Sequence, residues 1–146
     1  MAKNIALAPH STAVAGGTRT NPPKDYLARS NGLVHAGTHL LIDFWDASFL
    51  DDMPVVERAL REAVTACGAT LLHIHLHEFS ENGGVSGVAV LAESHISVHT
   101  WPELGYAAFD VFMCGDCDPQ AAIPVLRRLF LPRREEIGEY KRGILE

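Results

Sequence analysis

Leu72-His73-Ile74-His75-Leu76-His77 leads through Glu78-Phe79-Ser80-Glu81-Asn82-Gly83-Gly84 into Val85-Ser86-Gly87-Val88-Ala89-Val90-Leu91-Ala92. Apolar and imidazole side chains alternate in the first run, which predicts a strand with one face on a core. Asn82-Gly83-Gly84 has turn chemistry, and the apolar run from Val85 to Ala92 predicts the returning strand. Further on, His95 to Thr100 reads as a short extended segment, Trp101-Pro102-Glu103-Leu104-Gly105 as a break, and Tyr106 to Met113 as another strand. Before the quoted stretch, Val56, Leu60, Ala63, Val64 and Cys67 recur at helical spacing. Asp51 or Asp52 can cap that helix, with Pro54 in its first turn and Gly68 just past its end. Thr38 to Trp45 predicts a buried strand, with folded structure starting near Gly37. Asp118-Pro119 opens a second helix that Pro124 must bend or delay, and Glu135 to Tyr140 can form a last edge strand. The order β-α-β-β-β-α-β implies an α+β fold, a two-layer α/β sandwich with a mainly antiparallel sheet and helices on one face. The other sheet face is then left open, so a dimer is expected.

The chain of 146 residues has room for one domain, expected over residues 31–146. Residues 1–30 are rich in Ala, Gly, Thr, Ser, Asn and Pro without a period, and read as a flexible N-terminal arm. No apolar run approaches the roughly 20 residues that span a bilayer. The short run Ile5-Ala6-Leu7-Ala8 is too brief for a signal peptide, so no membrane association and a cytoplasmic location are expected. Cys67, Cys114 and Cys117 do not form a disulfide framework. A net charge of −6 without a basic cluster argues against nucleic-acid binding and suits a cationic substrate.

Polar groups are densest in Leu91-Ala92-Glu93-Ser94-His95-Ile96-Ser97-Val98-His99-Thr100-Trp101-Pro102-Glu103. Hydroxyls, imidazoles and a carboxylate between apolar strands are costly unless satisfied or used. From spacing alone two readings stand: a strand-end turn whose Ser and His cap backbone groups, or a reactive centre. Cys114 alone reads as a small buried hydrophobe, Phe79 as a core aromatic, and Glu103 as a solvated turn carboxylate.

The same segment closely resembles the short prokaryotic S-adenosylmethionine decarboxylase proenzymes. So do Gly84-Val85-Ser86-Gly87-Val88 before it and Gly105 to Asp116 after it, the resemblance covering about Gly37 to Pro119. It implies that the protein cuts its own Glu93–Ser94 bond into a β chain of residues 1–93 and an α chain starting at former Ser94. The Ser94 hydroxyl attacks the Glu93 carbonyl, the ester eliminates after loss of the Ser94 Cα proton, and the resulting dehydroalanine hydrolyses to a pyruvoyl group. His99 matches the family's processing base and Ser86 a serine that assists processing. The pyruvoyl cofactor forms a Schiff base with the substrate amine and accepts electrons as carbon dioxide leaves. Cys114 matches the donor that then protonates the former Cα. Phe79 corresponds to an aromatic stacked on adenine, and Glu103 to a carboxylate near the ribose or amine. The resemblance implies a small-molecule substrate and spermidine biosynthesis as the context; with the chain cut in two, the dimer expected from the open sheet face is an (αβ)₂ dimer.

No metal is expected: His73, His75 and His77 share one strand face, but the resemblance requires no zinc there. Cys114-Gly115-Asp116-Cys117 has redox-motif spacing without a second ligand pair. The cleavage motif fixes the electrophile and not the pocket, so relatives with it can decarboxylate L-arginine or L-ornithine. The loop Phe79 to Gly84 is one residue longer than the usual version, and Met113 replaces a small polar residue. A third reading, an uncleaved subunit that only regulates a partner, has no residue in its favour.

Overall fold

In the computed structural model, which describes residues 23–145, Asp52 caps the first helix, α1 (Met53–Ala66). Its carboxylate accepts a hydrogen bond from the Val55 N–H at 3.1 Å, and Gly68 follows the helix in the left-handed region. Val56, Ala59, Leu60, Ala63 and Val64 form the buried stripe of α1. They pack on one face of an antiparallel sheet built from β1 (Ala28–Ser30), β2 (Leu33–Trp45), β3 (Leu71–Glu78), β4 (Val85–Leu91), β5 (Ser94–Trp101), β6 (Tyr106–Met113) and β7 (Arg134–Leu145). The strand order is β7-β2-β6-β5-β4-β3, with β1 pairing the start of β2. A second helix, α2 (Ala122–Phe130), lies beside α1 and buries Ile123, Leu126 and Phe130 in the same core.

Period-two alternation assigns each strand residue to a face. Leu40, Ile42 and Phe44 of β2, Ile96 and Val98 of β5, and Ala107, Phe109 and Val111 of β6 point at the helices. Phe109 sits at the centre, with ring centroids 5.5 Å from Phe44 and 5.4 Å from Phe130. The opposite face carries no helix. It presents His39, Leu41, Asp43, His95, Ser97, His99, Trp101, Ser86, Val88, Val90 and the three histidines of β3. The architecture is the expected α+β two-layer sandwich.

Several boundaries differ from expectation. The last residues of the predicted arm form β1, and β2 begins at Leu33 rather than near Thr38. The cause is Asn31-Gly32, both at positive φ (50° and 77°), which is the pairing that closes a two-residue hairpin. Residues 1–22 of the arm lie outside the described residues. The edge strand β7 is 12 residues long instead of six, because pairing along β2 and not burial sustains it. A bulge between Leu71 and His73 turns Leu72 out to 64% exposure and leaves Leu71, Ile74 and Leu76 against the core. Pro124 delays α2: the chain first makes a 3-10 turn at Pro119–Ala121, and Pro124 falls in the first turn of the helix, where a backbone N–H has no intrahelical acceptor and its absence costs no helix bond.

Candidate active site

Ser94 opens β5 directly after a two-residue loop, Ala92-Glu93, that returns from Leu91 of β4. Glu93 has φ 71°, a left-handed conformation that a residue with a side chain adopts at a cost of about 1–2 kcal/mol. Backbone strain therefore sits on the residue that donates its carbonyl to the Glu93–Ser94 bond. Ser94 is 8% exposed, and its Oγ accepts a hydrogen bond from the Cys114 backbone N–H at 3.0 Å. That contact follows from register: His95 pairs with Phe112, so the start of β5 meets the end of β6. Burial pushes the Cys114 thiol above the ordinary cysteine range, while the Ser94 side chain beside the sulfur pulls it partly back. A thiol held up in this way stays protonated at neutral pH.

Ser86 and His99 are paired directly across β4 and β5, and the Ser86 Oγ lies 2.9 Å from His99 Nδ1. Both line a cleft of about 470 Å³ together with Phe79, Asn82 and Trp101. This is ample for a drug-sized ligand. Phe79 is 48% exposed in this cleft instead of filling the core, and its ring meets His77 edge-on at 4.8 Å. Glu103 sits in the 3-10 turn Pro102–Leu104, where its carboxylate accepts a hydrogen bond from Asn82 Nδ2 at 3.2 Å.

The expected residues thus fall into two groups. Glu93, Ser94 and Cys114 stand at one end of β5; Phe79, Ser86, His99 and Glu103 stand at the other. His99 lies five residue steps along the strand from Ser94, about 16 Å at the usual strand rise. Their side chains also point to opposite faces, Ser94 with Ile96 and Val98 and His99 with the open face. Within one chain the two groups do not meet.

A profile of the family described as S-adenosylmethionine decarboxylase matches residues 38–143, from β2 through β7. The chain belongs to the S-adenosylmethionine decarboxylase family. A relative from Methanococcus vannielii, an S-adenosylmethionine decarboxylase proenzyme, is 52% identical over 113 residues, covering 75% of this chain and 92% of its own. The proenzyme of Thermomicrobium roseum is 48% identical over 110 residues, 75% of this chain and 95% of its own. In fold, the chain is similar to the crystal structure of the adenosylmethionine decarboxylase from Aquifex aeolicus, with a TM-score of 0.69 and 33% identity over 77% of this chain and 94% of that one.

Two residues of this decarboxylase-family cleft escape a reading for reactive groups. Asn82 ties the loop after β3 to Glu103 and accepts from the Gly84 N–H at 3.0 Å, so it sets both the loop and the carboxylate. Its only sequence signal is its place before two glycines. Trp101 stands two residues after His99, hence on the same strand face. That spacing was sufficient to find it.

Proposed function

We propose that this chain is a self-cleaving decarboxylase of S-adenosylmethionine whose reactive carbonyl is made from Ser94. The observation that carries this reading is the local geometry at residue 94: a hydroxyl held by the Cys114 amide beside a strained Glu93, with the Cys114 thiol adjacent. Names borne by relatives about half identical to this chain support the substrate.

The Ser94 hydroxyl attacks the Glu93 carbonyl carbon; the C–N bond breaks and an ester replaces the amide. Release of the positive φ at Glu93 favours this exchange. A base then removes the Ser94 Cα proton, the Cβ–Oγ bond breaks, and residue 93 leaves as a carboxylate. Water completes the conversion and ammonia departs. The residues present fit a serine-derived pyruvoyl group, because Ser94 is held in place and a protonated thiol stands next to it. Once formed, that group supplies a carbonyl able to hold the electrons freed as carbon dioxide leaves. Cys114 returns a proton to the substrate carbon, a task that requires its thiol form. Phe79 stacks on the adenine ring, and Glu103, fixed by Asn82, faces the ribose or amine.

The processing base is His99, in the tautomer whose Nδ1–H donates to Ser86 Oγ and whose Nε2 carries the free lone pair. It cannot reach Ser94 of its own chain. A second copy of this chain, docked across the open sheet face so that its His99 reaches the sheet end where Ser94 and Cys114 stand, supplies it. Exposed Leu41, Val90, Trp101 and Tyr140 give that face the apolar area an interface between copies needs. Each site of the resulting (αβ)₂ dimer combines Ser94 and Cys114 of one copy with Phe79, Ser86, His99 and Glu103 of the other.

Cys114→Ala keeps the backbone N–H that holds Ser94 and is expected to cleave at the normal rate. Its decarboxylation falls by about 10²-fold or more, the usual loss with a positioned proton donor. The native enzyme loses turnover as pH rises through the Cys114 pKa, which burial places above the ordinary thiol value of about 8.5. That alkaline limb is expected to vanish in the variant, as read from a pH profile of kcat; an unchanged limb removes the thiol from this role.

The substrate assignment is tested by carbon dioxide release from S-adenosylmethionine, L-arginine and L-ornithine in parallel. Turnover of the first alone is expected. Preferential turnover of arginine or ornithine would replace the adenosyl reading and leave the cleavage chemistry standing.

A further inference from the structure

We infer that Trp101 is a positioning residue for self-cleavage, acting through His99. His99 is exposed on the open sheet face, and an exposed imidazole with a single tether, here Ser86, has more than one rotamer within reach. The second restraint is a stack of rings. The indole of Trp101 lies 29° from the plane of the His99 ring, at a centroid distance of 6.1 Å. Behind it the Tyr106 ring stacks on Trp101 at 5.1 Å and 29°, and Trp45 lies beside Tyr106 at 5.6 Å. The far end is held by the Arg134 guanidinium, 3.7 Å from the centre of the Trp45 ring. The middle is held by the Tyr106 hydroxyl, which donates to Asp43 at 2.5 Å.

This stack crosses four strands at one end of the open face, following the pairing of Trp101 with Tyr106 and of Trp45 with Arg134. Its members come from β5, β6, β2 and β7, so the position of the His99 ring is referred to four strands of the sheet and not to its own strand alone. Tyr106, Trp45 and Arg134 lie outside the lining of the cleft, whereas Trp101 is part of it. Trp101 can thus be approached from the side of the substrate or from the side of the stack, and the two roles separate by mutation.

This inference rests on His99 serving as the processing base. The experiment follows cleavage of freshly made precursor by intact mass for Trp101→Ala, Trp101→Phe, Tyr106→Leu and His99→Ala, with thermal midpoints and KM on the processed fraction. Trp101→Ala is expected to slow cleavage by about 10- to 100-fold, the range that misplacing a reacting group by about an ångström produces. Trp101→Phe restores most of the rate, because a flat ring remains. Tyr106→Leu, remote from the cleft, slows cleavage in the same direction while KM for S-adenosylmethionine stays unchanged. Normal cleavage in Trp101→Ala and Tyr106→Leu with a raised KM in Trp101→Ala would make Trp101 a substrate contact and overturn the inference. Slowing that Trp101→Phe fails to rescue, or that tracks a lower thermal midpoint or a loss of the dimer in gel filtration, would overturn it as well. Normal cleavage in His99→Ala, by contrast, would remove the base itself and with it the reading on which the inference stands.

Discussion

Ser94→Ala remains a single chain of 146 residues through prolonged incubation, and carbon dioxide release from S-adenosylmethionine falls to background. The substitution removes one oxygen from a site whose backbone does not depend on it. Ser94 pairs with Leu91 at the start of β5, and the Cys114 N–H that bonds to its hydroxyl lies at the sheet end. Losing that one partly buried hydrogen bond costs about 1 kcal/mol, too little to unfold a domain with this core. The chemistry, by contrast, loses everything: without a side-chain oxygen there is no acyl shift, no ester and no source for the carbonyl. Intact mass together with a thermal melt separates the two effects. Two chains from a folded Ser94→Ala protein would show that the bond is cut by some other route.

The next largest effect comes from mixing two dead chains. Ser94→Ala and His99→Ala each stay uncleaved when made alone. Coexpressed with distinguishable tags, they form mixed dimers in which one site holds an intact Ser94 and the partner's intact His99. Random pairing places about half of the His99→Ala chains in such dimers, so about half of them are cut while the Ser94→Ala chains stay whole. The expectation follows from the roughly 16 Å of strand and the opposite side-chain directions between the two residues of one chain. If His99→Ala chains remain whole in the mixture, the base acts within its own chain and the docking of two sheets does not complete the site.

The strands and helices were largely legible because their signals are local. The alternation around Ile74, the cap at Asp52 and the helical stripe from Val56 to Val64 each follow from side chains close in sequence. Asn31-Gly32 carries an equally local hairpin signal, but it follows directly on the compositionally loose arm and precedes Gly37, where folded structure was expected to start. The length of β7 was not legible at all. Glu135, Glu136, Glu139, Lys141 and Arg142 give no apolar period, and the strand exists because β2 offers a full row of backbone partners.

At the site, residue types were readable and their distances were not. The motif from Glu93 to Glu103 names reactive groups in one dimension, and an extended strand then spreads them over its length. That Ser94 meets Cys114, twenty residues away, and misses His99, five residues away, is decided by the register of β5 on β6. The positive φ at Glu93 was equally hidden, since glutamate is not a residue that marks such a turn.

The most direct measurement is the mass and terminal chemistry of freshly purified, folded wild-type protein. Residue 94 converted as described gives two chains, 1–93 and 94–146, the second with no free amino group at its start and with a carbonyl that borohydride reduces. One unbroken chain of 15.9 kDa, or a second chain beginning with an ordinary serine amine, would contradict it.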